Sequence, residues 1–403
     1  MSNPSHVRVC GPLEPFAHGF GEHLSRLGYR QNSTAVQLHL MAHLSRWLSA
    51  MRLEASALTP TTVEKFFVTR RSAGYTNYRS VKALSPLLGY LSGLGATPPA
   101  PPAVLTPVEE LLERYRNYLT RNRGITKTTA RGYMDMVRPF LAGRAMPDGG
   151  LDLQGLTSAD VTGFVLALCP QRSGGWAKLL VTALRSLLIF LHVDGMLPRP
   201  LSDAVPSVAG WRLAGLPKAL DADQTRRLLA SCGRSSTGPR DFAVLTLLVR
   251  LGLRAGEVAG LQLGDIDWRH GEITVRGKGN RWERLPLPVD VGQALVAYLR
   301  SGRPASVDGC RRLFFCARAP LRGLTSGAVS LIVSRAASQA GLPKITAHWL
   351  RHTAATKLLE AGAPLSEVGQ LLRHRRLLTT AIYAKVSRDA LRTVARSWPG
   401  GAV

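Results

Sequence analysis

Apolar positions along this chain recur mostly at helical spacing. Asn32-Ser-Thr-Ala35 opens a helical pattern that runs to Trp47-Leu48, and Lys127-Thr-Thr-Ala130 opens another that runs to Phe140-Leu141. A threonine begins the next helix in both places. Leu58-Thr-Pro-Thr-Thr-Val63 and Leu156-Thr-Ser-Ala-Asp-Val161 each put a hydroxyl where the free N–H groups of a first turn need an acceptor. Phe66 and Phe164 fall at equivalent places after them. Each stretch closes on an apolar helix and a glycine turn, at Tyr90-Leu-Ser-Gly93 and at Phe190-Leu-His-Val-Asp-Gly195. The offset between paired features drifts only from about 95 to 100 residues, so the pattern predicts two tandem copies of one all-helical module.

The period changes further on. Asp221-Ala-Asp-Gln224 has the form of a capping box ahead of Thr225-Arg-Arg-Leu-Leu229, and a long apolar helix is predicted from Asp241 to Leu253. Ile273-Thr-Val275 and Trp282 to Leu287 are strand-like, with Gly277-Lys-Gly-Asn280 between them, which predicts a hairpin. Phe314-Phe315 is read as a further strand. The remainder is helical, punctuated by Gly341, Gly362 and Pro364, and a short amphipathic helix from Ser387 to Trp398 ends at Pro399. Two Pro-rich seams, Ala96 to Pro102 and Leu197 to Pro217, cannot continue helices and act as stiff linkers. The expected organisation is a helical module at 1–96, a second at 104–197, a linker at 198–215 and a third domain at 216–403. The fold class is mainly α, with an α+β third domain whose small sheet is antiparallel.

Composition narrows the partners. The 403 residues include 52 Lys and Arg against 26 acidic residues, a formal net charge of +26. Charge of that size repels itself unless it meets a polyanion, so nucleic acid is the first candidate and an anionic membrane surface the second. Arginine outnumbers lysine, which suits bidentate gripping of phosphates. A GC-rich genome also favours Arg over Lys, but it does not explain the excess over acids. The most apolar stretch, Leu179 to Val193, carries Arg185 and is too short to span a bilayer, so a core helix is expected and no membrane partner. The N-terminus shows no signal-peptide pattern. Cys10, Cys169, Cys232, Cys310 and Cys316 are scattered, odd in number and without a CxxC pair. They predict buried free thiols in a reducing compartment rather than a zinc site or a disulfide framework.

The chemistry concentrates late in the chain. His348 and Arg351 are three apart and share a helix face. His348 and His352 have metal-ligand spacing, but Trp349 stands where a zinc hydrolase needs glutamate, and no acidic third ligand lies nearby. Arg254 follows Gly252, with Glu257 three residues on as an ion-pair partner that can also orient it. Lys278 sits between two glycines at the hairpin tip, outside any P-loop pattern. Tyr383 follows His374 by nine residues. A phenol is a poor nucleophile near neutrality because its pKa is about 10, so it needs a base or a cationic pocket. Two arginines and two histidines supply both.

In order, spacing and local context, Arg254, Lys278 in a hairpin, His348-x-x-Arg351, Leu-Arg-His374 and Tyr383 resemble the catalytic set of the tyrosine recombinases, the phage-integrase family. The Gly-Leu-Arg-x-x-Glu phrase, the Leu-Arg-His-Thr-Ala-Ala-Thr phrase and the Ile-Tyr phrase are each similar to the family's. The match covers about 216–390, and 104–197 is similar to the core-binding domain that precedes such catalytic domains. The resemblance implies a site-specific DNA recombinase that cuts and rejoins strands through a 3′-phosphotyrosyl intermediate, in integration, excision or transposition. It implies Tyr383 as nucleophile, Arg254 and Arg351 as phosphate clamps, and Lys278 as acid toward the departing 5′-oxygen. His348 would be the general base, and His374 a hydrogen-bond donor to phosphate. No cofactor or metal is implied. The partners would be double-stranded DNA and three further copies in a tetramer on paired sites, with accessory recombinases or directionality factors, in a bacterial cytoplasm at the nucleoid. The alternatives are type IB topoisomerase-like relaxation and a DNA-binding architectural factor that does not cut. Three features depart from the family. Arg373 stands where it often has glycine, at a cost of about 1 kcal/mol if φ must be positive. Trp349 replaces a common aspartate, and the module at 1–96 is additional.

Overall fold

The computed structural model describes residues 7–99, 105–147, 149–208, 218–233, 237–277, 281–304, 309–373 and Tyr383. Side-chain oxygens start many of its helices. Thr59, Thr106, Thr126, Thr157, Ser173, Asp221 and Thr325 each accept an N–H of the first turn that follows. The capping boxes at Thr157/Asp160 and Asp221/Gln224 are complete in both directions.

The first segment holds α1 (Ala17–Arg26), α2 (Gln31–Ala50), α3 (Pro60–Ser72) and α4 (Val81–Gly93) around Phe20, Leu44, Phe67 and Leu91. The second holds α5 (Pro107–Asn117), α6 (Lys127–Ala142), α7 (Ser158–Leu168) and α8 (Gly174–Val193) around Tyr115, Val137, Leu184 and Leu187. Trp47 meets Phe66 edge to face at 5.7 Å, and Phe140 meets Phe164 in the same manner at 5.0 Å. Helix α8 alone among the described residues is long and apolar enough to cross a membrane, and 56% of that stretch is buried inside the protein.

Residues 101–214 form one compact unit, and 1–100 with 215–403 form the other. The first segment has its own core yet is seated on the third. The Leu321 N–H donates to the Leu27 carbonyl at 2.9 Å. Gly28, at φ +79°, lies under the Leu321 side chain, and a Cβ there would stand 2.2 Å from Leu321 Cδ1. Glycine is required for both the backbone and the approach.

The third segment is built on α10 (Gly238–Leu251), buried along most of its length by α12 (Val289–Ser301), α13 (Ser326–Gln339) and α14 (Ala347–Glu360). α9 (Ala222–Ala230), α11 (Ala255–Gly260) and α15 (Leu365–Leu371) complete its described helices. The sheet is antiparallel, in the order β1 (Ile266–Asp267), β2 (Glu272–Arg276), β3 (Trp282–Pro286). Ile273 pairs with Leu285 and Val275 with Glu283, and Ile273, Val275 and Leu285 face the core. The predicted hairpin is present, closed by Gly277 N–H to Arg281 O at 2.8 Å, and its tip at 278–280 lies outside the described residues. Phe314-Phe315 is not a strand of this sheet. Both rings are core, Phe315 makes only an isolated bridge to Gly323, and the third strand is the two-residue β1, too short to show a period. The thiols differ from expectation, since Cys10 is exposed and the other four are half-buried.

Candidate active site

Helix α10 ends where Gly252 turns into the left-handed region at φ 57°. A Cβ at Gly252 would stand 2.7 Å from Leu372 Cδ2 and 3.3 Å from Ala354 Cβ, so only glycine lets these elements close. The turn carries the chain out of α10 within three residues. Arg254 therefore does not end the apolar helix, as the sequence suggests, but caps the start of α11. Glu257, buried in the first turn of α11, accepts from the Arg254 backbone N–H at 2.7 Å and from its Nη1 at 2.6 Å. The carboxylate orients the arginine, as expected, while 41% of the Arg254 side chain stays open to solvent.

Arg351 is the opposite case. It is 2% exposed, and a buried guanidinium is tolerable only when its N–H groups are paired. Nη1 donates to the Gly252 carbonyl at 2.7 Å, and Nη2 donates to the Leu372 carbonyl. Burial pushes its pKa down to about 10, helped by Arg254 and Arg373 and opposed by Glu257, so it stays charged at neutral pH. His348, one turn earlier on α14, is exposed. Desolvation, then Arg351 and Arg254, hold its imidazole below the usual range.

Behind His348 lies His352, its ring 4.4 Å away, edge to face. His352 is half-buried, its Nδ1 has no hydrogen-bond partner among the described residues, and burial followed by His348 and Arg351 lowers it to about 4. The Tyr383 ring is 5.4 Å from that of His352 and packs with Ala355, Val368 and Leu372. Tyr383 is 1% exposed; burial pushes its phenol up to about 12, and Arg351 pulls the other way. Four predicted residues, Arg254, His348, Arg351 and Tyr383, thus gather around the Gly252 turn. Lys278 and His374 lie outside the described residues, as does the helix predicted at 387–398. Among the described residues, no three His, Cys, Asp or Glu side chains are grouped to hold a metal ion.

The departure at Arg373 has a structural basis. Its φ is 56°, so this position does require the left-handed conformation that favours glycine. Its Nη2 donates to Glu257 Oε2 at 2.6 Å, across 116 residues of sequence. Trp349 is half-buried against the third core with the Lys218 ammonium 5.2 Å from its ring, a packing role. Sequence reading did not assign the Gly252 and Leu372 carbonyls, Arg373 or His352 to the site. The left-handed requirement at 373 and the i+4 spacing of the histidines were the available signals.

Residues 218–389 match the phage integrase family. The chain is 38% identical over 398 residues, 97% of this chain and 96% of the relative, to the Sinorhizobium fredii protein y4rA, an integrase/recombinase by name. It is 34% identical to tyrosine recombinase XerD of Mycobacterium tuberculosis, over 72% of this chain and 96% of that one. Its fold is shared with XerH site-specific recombinase bound to a palindromic difH substrate, at TM-score 0.56 and 19% identity over 73% of this chain and 97% of that one. It is shared also with a lambda integrase dimer bound to a COC′ core site, at TM-score 0.52 and 20% identity over 73% and 98%. With one relative of 38% identity along nearly its whole length and another of 34% along 72% of it, the chain belongs to the phage integrase family and is a tyrosine-type site-specific recombinase.

Proposed function

We propose that this recombinase cuts and rejoins double-stranded DNA with Tyr383 as its nucleophile. The phenol oxygen attacks a backbone phosphorus, a 3′-phosphotyrosyl bond forms, and the bond to the 5′-oxygen breaks. The phenol proton passes to His348, whose depressed pKa leaves it proton-free at neutral pH. Arg254 and Arg351 hold the non-bridging oxygens and stabilise the charge that builds in the transition state. Lys278 protonates the departing 5′-oxygen, and His374 donates to a phosphate oxygen. A 5′-hydroxyl from another strand then reverses the step and reseals the backbone. Exchange between two duplexes takes four such cuts, so four protomers assemble on paired sites.

The observation that carries this reading is the asymmetry of the arginine pair beside the buried tyrosine. Arg351 is fixed by two carbonyls within reach of Tyr383, while Arg254 is oriented by Glu257 and left open toward solvent. A structural ion pair alone leaves no reason for an open guanidinium next to a buried one.

The first segment is read as a further DNA-gripping module. His39, His43 and Arg46 line one side of α2, and Arg70 approaches His43 at 3.5 Å and lies 4.0 Å over the Tyr75 ring. Two guanidiniums, Arg46 and Arg70, gathered on one surface are the kind of footprint a phosphate backbone partner takes.

The test uses a duplex carrying the protein's preferred site, selected from a random pool and nicked beside the cleavage position so that the released fragment diffuses away. A protein–DNA adduct that survives denaturation and vanishes in Tyr383→Phe is expected. A site that is bound without any Tyr383-dependent adduct overturns the reading. Relaxation of supercoiled DNA with no strand exchange would favour a topoisomerase instead.

A further inference from the structure

Three described non-glycine residues, Arg52, Tyr78 and Arg373, have positive φ, and of these only Arg373 is buried. A long charged side chain in a conformation that favours glycine calls for a compensating contact. Its partners supply one. Arg373 Nη2 donates to Glu257 Oε2 at 2.6 Å, and Nη1 to the Leu371 carbonyl at 3.3 Å. Nε stands 3.7 Å from Glu283 Oε2 on β3, the strand leading out of the hairpin. The backbone serves the same purpose. The Leu372 carbonyl accepts from Arg351, and the Arg373 carbonyl accepts from Arg254 Nη2 at 3.4 Å. One turn thus holds both phosphate-clamp arginines through consecutive carbonyls and reaches the carboxylate that orients one of them.

The charges give the contact a direction. Glu257 carries one negative charge and is paired with two guanidiniums, Arg254 and Arg373. The Arg373 side chain is 3% exposed, whereas that of Arg254 is 41% exposed and open to a ligand. With glycine at 373, the carboxylate would compensate Arg254 alone.

We infer that Arg373 is a positioning residue of the phosphate clamp: by taking up the charge of Glu257 it leaves the Arg254 guanidinium uncompensated toward the scissile phosphate. This rests on the strand-cleavage reading above. Arg254 grips the phosphate, and Arg373 acts only through Glu257 and the turn.

The test compares full-length wild type, Arg373→Gly and Arg373→Lys on the nicked duplex at saturating DNA. Arg373→Gly keeps the φ and removes the charge, so the fold is preserved. Its adduct should form about tenfold more slowly, the scale of one charge-assisted contact, with DNA affinity and thermal stability unchanged. Arg373→Lys should restore part of the rate. The distinguishing substrate carries a neutral methylphosphonate at the scissile position. If Arg373 works through charge at the phosphate, the gap between wild type and Arg373→Gly closes there. An equal deficit on both substrates, or a wild-type rate for Arg373→Gly on the ordinary duplex, overturns the inference alone. No Tyr383-dependent adduct from the wild type overturns the cleavage reading and this inference with it.

Discussion

Gly252→Ala is the most informative single change in the catalytic segment. The residue sits at φ 57°, and a Cβ would be 2.7 Å from Leu372 Cδ2, 3.3 Å from Ala354 Cβ and 3.7 Å from Arg351 Cγ. Alanine in the left-handed region costs about 1 kcal/mol. The Leu372 side chain is fully buried, so its displacement adds the overpacking penalty of roughly 1–3 kcal/mol. Together these predict about 2–4 kcal/mol of destabilisation, and for the large unit formed by 1–100 with 215–403 a fall of roughly 3–7 °C in Tm. The cost falls on the site as well, because the Gly252 carbonyl is one of two acceptors that hold Arg351. Calorimetry and the adduct assay read the two effects separately. The transition of the unit containing residue 252 should drop while that of residues 101–214 stays, and the adduct should form at least tenfold more slowly. A Tm within a degree of wild type, with full adduct yield, would refute the reasoning that this glycine shapes the arginine pair.

Other measurements probe the remaining groups. His348 is held below its ordinary pKa, and in the proposed mechanism it acts without its proton, so cleavage should fall with an acid limb below about pH 6.5, and His348→Gln should flatten that limb. A limb centred above pH 7 speaks against a depressed imidazole. His352, lowered to about 4, binds its proton more readily when unfolded, so its contribution to stability is full above about pH 6.5 and lost as pH falls toward 4. Denaturant midpoints at pH 7 and 4.5 should differ less in His352→Gln than in wild type; identical differences sink the argument. For the first segment, Arg46→Glu with Arg70→Glu should weaken DNA binding and lower the salt slope by about one per lost phosphate contact. An unchanged slope removes that face from the DNA interface.

Much of this protein is legible along the chain. Threonine caps, glycine stops and the change from helical to alternating spacing are local signals, acting within one turn or one hairpin, and they locate the helical segments and the β2–β3 pair. The four described candidate residues could be named because each sits in its own recognisable phrase. The unread parts share a physical cause. Strand β1 has only two residues, Phe314-Phe315 mimics a strand because both rings are core, and Arg254 was placed by the helix before it rather than the one it caps.

Sequence alone determined which chemical groups are present, the helical character of most segments and the positive charge that calls for a polyanion. Only the tertiary structure decided how those groups are arranged. Arg351 is held by carbonyls 99 and 21 residues away, and Glu257 joins Arg254 to Arg373 across 116 residues. Such contacts form when the Gly252 turn, α14 and the turn after α15 close on one another. Loop closure of that length leaves no periodic trace in the chain, because its free energy comes from packing and desolvation rather than from local propensity. For the same reason Arg373 reads as an anomaly in one dimension and as an ion-pair partner in three.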